Sequence, residues 1–194
     1  MALHYGQAIF EGMKATLNAA GVPLLFRPSK NAARLNSSAV RMGMPELPEE
    51  IFSEGLKQLV NLDKDWIPKK KGSAMYLRPF MYADEHFIGM RAATSYKFII
   101  ICSPAGPYFS ERIKLFAEKK FIRAAHGGTG EAKAAGNYAA AVLPTEIAKS
   151  KGFDQNHNTA GITVFNCTGY RNGRNYSFSE KPNDGSHILK NNIS

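Results

Sequence analysis

The run Ser95–Ser103, SYKFIIICS, constrains the fold more than any other stretch of these 194 residues. Its apolar residues are consecutive rather than alternating and polar residues bound them, the pattern of a strand covered on both faces. It is therefore expected at the centre of a sheet. A second run, AMYLRPFMYA from Ala74 to Ala83, supplies a neighbouring strand rich in β-formers. The cover for that sheet lies upstream. Ala32, Leu35, Ala39 and Val40 recur at helical spacing after Ser29, an N-cap residue type, and predict a helix through about Met42. Ile51, Phe52, Leu56, Leu59 and Val60 form one stripe and predict a second helix from about Pro48 to Asp63. Two helices and the strands they cover make an α+β layer domain.

The flanks extend this plan. QAIFEGMKAT and GVPLLFRP read as two strands joined by a turn at Asn18 to Gly21, so a hairpin opens the domain. SPAGPYFS carries the proline and glycine of a connector, which sets a small α/β domain at residues 1–102 and a linker at 103–110. IKLFAEKKFIRAA starts a second sheet, and a glycine turn leads into a helix from about Gly136 to Lys151, ended by Gly152. That makes residues 111–155 the beginning of a second domain. From Asn156 to Ser194 the chain is crowded with Asn, Ser and Gly and has little periodicity, so this tail is expected to be poorly ordered.

Charge and cysteine content narrow the partners. The net charge is +9, but its only dense run is Lys69-Lys70-Lys71 before Gly72, which reads as a solvated loop rather than a nucleic-acid face. Spread positive charge suits small anionic molecules as readily as DNA. Cys102 and Cys167 are far apart without metal-ligand spacing, so neither a metal site nor a disulfide framework is expected. No apolar run reaches the roughly 20 residues of a membrane span, and MALHYGQAIF lacks the n-region and h-region of a leader. A cytoplasmic protein is expected.

Chemistry concentrates in AAHGGTGEAKAAGNYAAAV, Ala124 to Val142. As a nucleotide loop it fails on spacing. A Walker A loop needs Gly-Lys-Ser/Thr, whereas Lys133 follows Ala132 and precedes Ala134, and no glycine completes G-x-G-x-x-G. A Schiff-base lysine needs small neighbours for a flat cofactor and a lowered pKa from burial or nearby cations. Ala132, Ala134 and Ala135 supply the small neighbours, and Tyr138 follows five residues on. On these residues alone, a solvated loop lysine stands beside the nucleophile.

Seven blocks in order, LHYGQAIFEGMKA, LLFRPSKNAARLNSSAVRMGMP, LVNLDKDWIP, YLRPFMYA, IICSPAGPYF, RAAHGGTGEAKAAGNYAA and AKSKGFDQ, resemble the branched-chain amino acid aminotransferases. These are pyridoxal-phosphate enzymes of fold type IV. The resemblance runs from about Leu3 to Gln155 and implies the small two-layer domain of that fold, followed by the start of its larger β-rich cofactor domain. It further implies that Lys133 holds pyridoxal 5'-phosphate as a Schiff base and shuttles the proton, and that Tyr138 hydrogen-bonds the cofactor's phenolic oxygen. Arg34 would bind the phosphate, with Arg123 beside the cofactor. Tyr5, Phe10, Tyr76, Arg78 and Tyr108 would shape the substrate pocket, with Lys14 a basic residue near it.

An aromatic-lined pocket suits branched aliphatic side chains, and a cation such as Arg78 suits a dicarboxylate. The implied reaction moves the amino group of leucine, isoleucine or valine to 2-oxoglutarate, yielding the branched 2-oxo acid and glutamate without a metal. Lys133 removes the α-proton while the pyridine ring serves as electron sink. The resemblance also implies a homodimer, while the charge pattern and the lack of a long apolar run leave no nucleic-acid or membrane partner expected. Family members continue past KGFDQ into a segment resembling EEAGTMN, whose acidic residue contacts the pyridine nitrogen. Here Thr168 stands near that spacing. The chain therefore reads as truncated at both ends with an aberrant tail, and a non-catalytic, folded or dimer-forming fragment is the alternative expectation.

Overall fold

The structure is a computed structural model that describes residues 1–107, 113–118, 120–158, 169–171, 174–180 and 186–192. The described residues form two compact units. Residues 1–107 make the first together with 131–136, and 113–130 make the second together with residues from 137 onward.

The first unit runs α1 (Ala2–Tyr5), β1 (Ala8–Phe10), β2 (Met13–Leu17), β3 (Pro23–Leu25), α2 (Pro28–Arg41), α3 (Glu49–Leu62), a single 3-10 turn at Lys64–Trp66, β4 (Ala74–Ala83) and β5 (Tyr96–Ala105). β4 is the spine of the sheet. Along one edge it pairs antiparallel with β5 from Ala74↔Ala105 to Ala83↔Tyr96. Along the other it pairs with β2 at Met13↔Leu77 and with β1 at Phe10↔Phe80. β1 and β2 keep one register, so the strand expected over QAIFEGMKAT exists but is interrupted at Glu11–Gly12. The cause lies opposite: Pro79 has no N–H to donate to the ladder, and only its carbonyl takes part, accepting the Glu11 N–H at 2.7 Å. β2 and β3 form the expected hairpin, its turn held by the Asn18 side chain, which accepts from the N–H groups of Ala20 and Val22.

Alternation sorts the sheet's two faces. Ile9, Met13, Ala15, Leu77 and Met81 point to one side and form a core with Leu35 and Ala39 of α2 and Phe52 and Leu56 of α3. Burying a Leu or Phe side chain in this way contributes about 1.5–3 kcal/mol. The opposite face carries Phe10, Tyr76, Arg78, Phe80 and Tyr82, all partly buried.

Two expectations are corrected. β5 is an edge strand, not a central one: among the described residues it pairs with β4 alone, and Ile101 is 54% exposed. Its unbroken apolarity reflects a sheet whose second face is itself aromatic, since Ile99 and Ile101 stand beside Phe80 and Arg78. The first helix begins at Pro28 with Arg27, in the left-handed region at φ 51°, at its N-cap, not Ser29. Proline suits the first turn, where no N–H is required.

In the second unit β6 (Leu115–Glu118) is followed by α4 (Ala135–Ala139, which begins in the first unit), α5 (Val142–Ser150), β7 (Gln155–Asn158), β8 (Gly169–Arg171), β9 (Arg174–Glu180) and β10 (Ser186–Asn192). The sheet order is β7-β6-β10-β9-β8, with β6 and β7 parallel at Leu115↔Gln155. The single helix expected over 136–151 is divided. Pro144 cannot donate to the carbonyl of Ala140, so the helix restarts at Val142 with the proline in its first turn.

Candidate active site

One stripe of α2 builds the centre of the site. Arg34, Ser38 and Arg41 recur at helical spacing, and each engages chain that is distant in sequence. Arg34 donates from Nε and Nη2 to the two carboxylate oxygens of Glu11 at 2.6 and 2.7 Å, a bidentate fork. Glu11 sits at the interruption between β1 and β2 with none of its side chain exposed, and also accepts from Asn31 Nδ2 at 2.8 Å. The Arg34 side chain remains 55% exposed, so the guanidinium is oriented by a buried anion while still meeting solvent. Arg41 lies 4.0 Å from Glu131.

Ser38 and β1 hold Lys133. The Lys133 N–H donates to Ser38 Oγ at 2.9 Å, and the Lys133 carbonyl accepts the Phe10 N–H at 3.1 Å. Ile9 and Ala134 form an antiparallel bridge, so the lysine segment lies alongside β1. Ala132 and Ala134 are buried, and a Cβ added at Gly136 would meet nothing within 4 Å. The Lys133 Nζ sits 4.4 Å from the centre of the Phe10 ring.

Arg78 shares that ring, its Cζ 4.3 Å from the centroid. It also donates from Nε and Nη2 to the Tyr76 hydroxyl at 3.2 and 2.8 Å. Gly12 makes room for this arrangement, because a Cβ there would lie 2.3 Å from the Tyr76 hydroxyl oxygen. Lys14 pairs with Tyr76 across the ladder and is exposed on the same face. Tyr5 ends α1 and is 39% exposed. Two cations, two aromatic rings and a hydroxyl therefore converge within one unit, a set able to bind a carboxylate beside an apolar group.

Cys102 is no rival nucleophile. It faces the helices, and burial, followed by its 3.1 Å contact with Asp63, pushes its pKa up to about 11. Among the described residues no three His, Cys, Asp or Glu side chains group to hold a metal.

No family model matches the sequence. Over 158 residues the chain is 50% identical to branched-chain-amino-acid aminotransferase 2 of Bacillus subtilis, covering 80% of this chain and 44% of that protein. With the branched-chain-amino-acid aminotransferase of Mycolicibacterium smegmatis it shares 49% identity over 157 residues, 79% of this chain and 43% of that one. The chain is homologous to the branched-chain amino acid aminotransferases. It spans less than half the length of these curated relatives. In three dimensions it matches a T.th. branched-chain amino acid aminotransferase solved with pyridoxamine 5'-phosphate, at a TM-score of 0.68 and 26% identity, over 82% of this chain and 52% of that chain.

Of the aminotransferase residues expected from sequence, Lys133, Arg34, Tyr5, Phe10, Lys14, Tyr76 and Arg78 all belong to the first unit. Arg123 and Tyr138 belong to the second, Arg123 exposed and Tyr138 44% exposed. Tyr108 lies outside the described residues, as do Cys167 and Thr168. Sequence reasoning missed Glu11, Asn31 and Ser38. Glu11 left a signal: a carboxylate in the middle of a half-buried strand needs a charged partner. Ser38 left none, because a serine within a helix ordinarily bonds only its own preceding turn.

The residues present fit a phosphorylated aldehyde cofactor. The donor set offers the Lys133 amine, held through its backbone among small buried neighbours, and the guanidinium of Arg34, directed by Glu11 on a half-exposed side chain.

Proposed function

We propose that the chain performs the branched-chain aminotransferase reaction, moving the amino group of leucine, isoleucine or valine to 2-oxoglutarate with pyridoxal 5'-phosphate carried on Lys133. The observation that carries this reading is the clamping of Lys133 at both its N–H and its carbonyl by Ser38 and Phe10, in a chain 50% identical over 158 residues to such an enzyme. When bound, the cofactor supplies an electron sink for the charge left on the substrate α-carbon.

The chain's own residues do the rest. Lys133 Nζ takes the proton from the substrate α-carbon and returns it as general base and acid. Arg34, steadied by Glu11, binds the phosphate. Phe10, Tyr76 and Tyr5 line the pocket for the branched side chain and exclude water, while Arg78 takes the distal carboxylate of 2-oxoglutarate or glutamate. Lys14 adds positive charge at the rim. The resemblance also assigns Arg123 and Tyr138 to the cofactor, Tyr138 to its phenolic oxygen, and Tyr108 to the substrate. The working form is a cytoplasmic homodimer that engages neither nucleic acid nor membrane.

The second reading is a folded, dimer-forming unit without turnover. Titrating the purified chain with pyridoxal 5'-phosphate separates the two. The first reading expects a visible absorbance band, lost in Lys133→Ala, and glutamate formation from leucine and 2-oxoglutarate. A band without glutamate supports the second reading, and no band rejects the cofactor role altogether.

A further inference from the structure

Ser38 occupies a position no general helix rule requires. The residue is 1% exposed in the middle of α2, and its hydroxyl donates to the Arg34 carbonyl at 2.9 Å, the usual bond of a helical serine to the preceding turn. With that donation the hydroxyl proton is used and the oxygen is turned toward other donors. What it accepts is the N–H of Lys133, 95 residues away in sequence. From the geometry we infer that Ser38 is a positioning residue for Lys133: one buried hydroxyl couples the backbone of the helix that bears Arg34 to the backbone that bears the amine.

Lys133 lies in a segment with no long ladder of its own; its tie to β1 is the Phe10 bond and the Ile9–Ala134 bridge. A lysine amine is the end of a flexible stem of four carbons, so its reach is defined only if its backbone is fixed. The Phe10 contact and the bridge hold the carbonyl side of Lys133. The Ser38 contact fixes the other side of the same residue, and the two together set where the stem departs. Arg34 and Ser38 are one turn apart, so the helix that bears the guanidinium also holds the backbone of the lysine.

This inference rests on the cofactor role proposed for Lys133. The test compares Ser38→Ala and Ser38→Cys with the parent chain in two ways: amide hydrogen exchange at Lys133, and the rate at which pyridoxal 5'-phosphate followed by borohydride labels Lys133. Cysteine keeps the volume and weakens the acceptor, so it separates the hydrogen bond from packing and decides the matter should the alanine variant unfold. Losing a bond of ordinary strength changes an equilibrium by about 10-fold. Both variants are expected to raise Lys133 exchange by about 10-fold and slow its labelling comparably, while the Leu56 amide of α3 and labelling of exposed Lys57 stay as in the parent. Parent-like exchange and labelling at Lys133 in Ser38→Cys, or an equal loss of protection at Leu56, overturns the role of Ser38 alone. A parent chain whose Lys133 labels no faster than Lys57 overturns the cofactor reading, and this inference with it.

Discussion

At the scale of single residues, Glu11 and Arg34 show why a functional cation can also be structural. Glu11 has no exposed side-chain surface, whereas Arg34 keeps more than half of its own. The two are therefore unequal when one is removed. Arg34→Ala leaves a buried carboxylate with Asn31 and the Gly12 N–H as its donors; breaking a buried pair costs about 3–5 kcal/mol, and partial solvent access at Arg34 lowers the expectation to about 2 kcal/mol. Glu11→Ala leaves a guanidinium that can turn to water, and about 1 kcal/mol is expected. Urea midpoints of the two variants check this order; equal losses, or a larger loss for Glu11→Ala, contradict it. Lys133, Arg34 and Arg78 were singled out from sequence because their blocks resemble the family. Glu11 and Ser38 were not, because their roles depend on partners 23 and 95 residues away that no local pattern announces.

At the scale of elements, the two helices of the first unit were legible to within a residue or two because their apolar stripes bury one face, and β4 was legible in full. The strand β5 was placed correctly along the chain but not within the sheet, since a continuous apolar run fits an edge strand when both faces of the sheet are apolar. The loop from β4 to β5 was not legible at all. It is held by Glu85, whose carboxylate accepts from Arg91 Nη1 at 3.0 Å and from the Thr94 N–H at 2.8 Å. Those bonds, the Arg91 guanidinium foremost, hold its pKa at about 2 against an ordinary 4.5. A carboxylate depressed in the folded state adds stability that is complete above 4.5 and lost as the pH falls toward 2. The stability difference between the parent chain and Glu85→Gln should therefore shrink across that interval. A difference that stays constant there contradicts the assignment, as does a dependence of undiminished size in Arg91→Ala, where only the Thr94 N–H still holds the carboxylate.

At the scale of the whole molecule, the first unit gathers the lysine, its serine tie, the Glu11–Arg34 fork and the Arg78–Tyr76 pair, although Lys133 lies beyond the segment that links the two units along the chain. The contribution of Glu131–Gly136 to the first unit was not visible in a linear reading, which drew the boundary through the connector and assigned everything beyond it to a second domain. Tertiary pairing with β1 made that difference. The placement of the amine is tested by reducing the chain with borohydride in the presence of pyridoxal 5'-phosphate and mapping the adduct by peptide mass spectrometry. A stoichiometric phosphopyridoxyl group on Lys133, reached before the exposed lysines react, is the predicted result; an adduct spread over surface lysines with Lys133 unmodified would contradict the account.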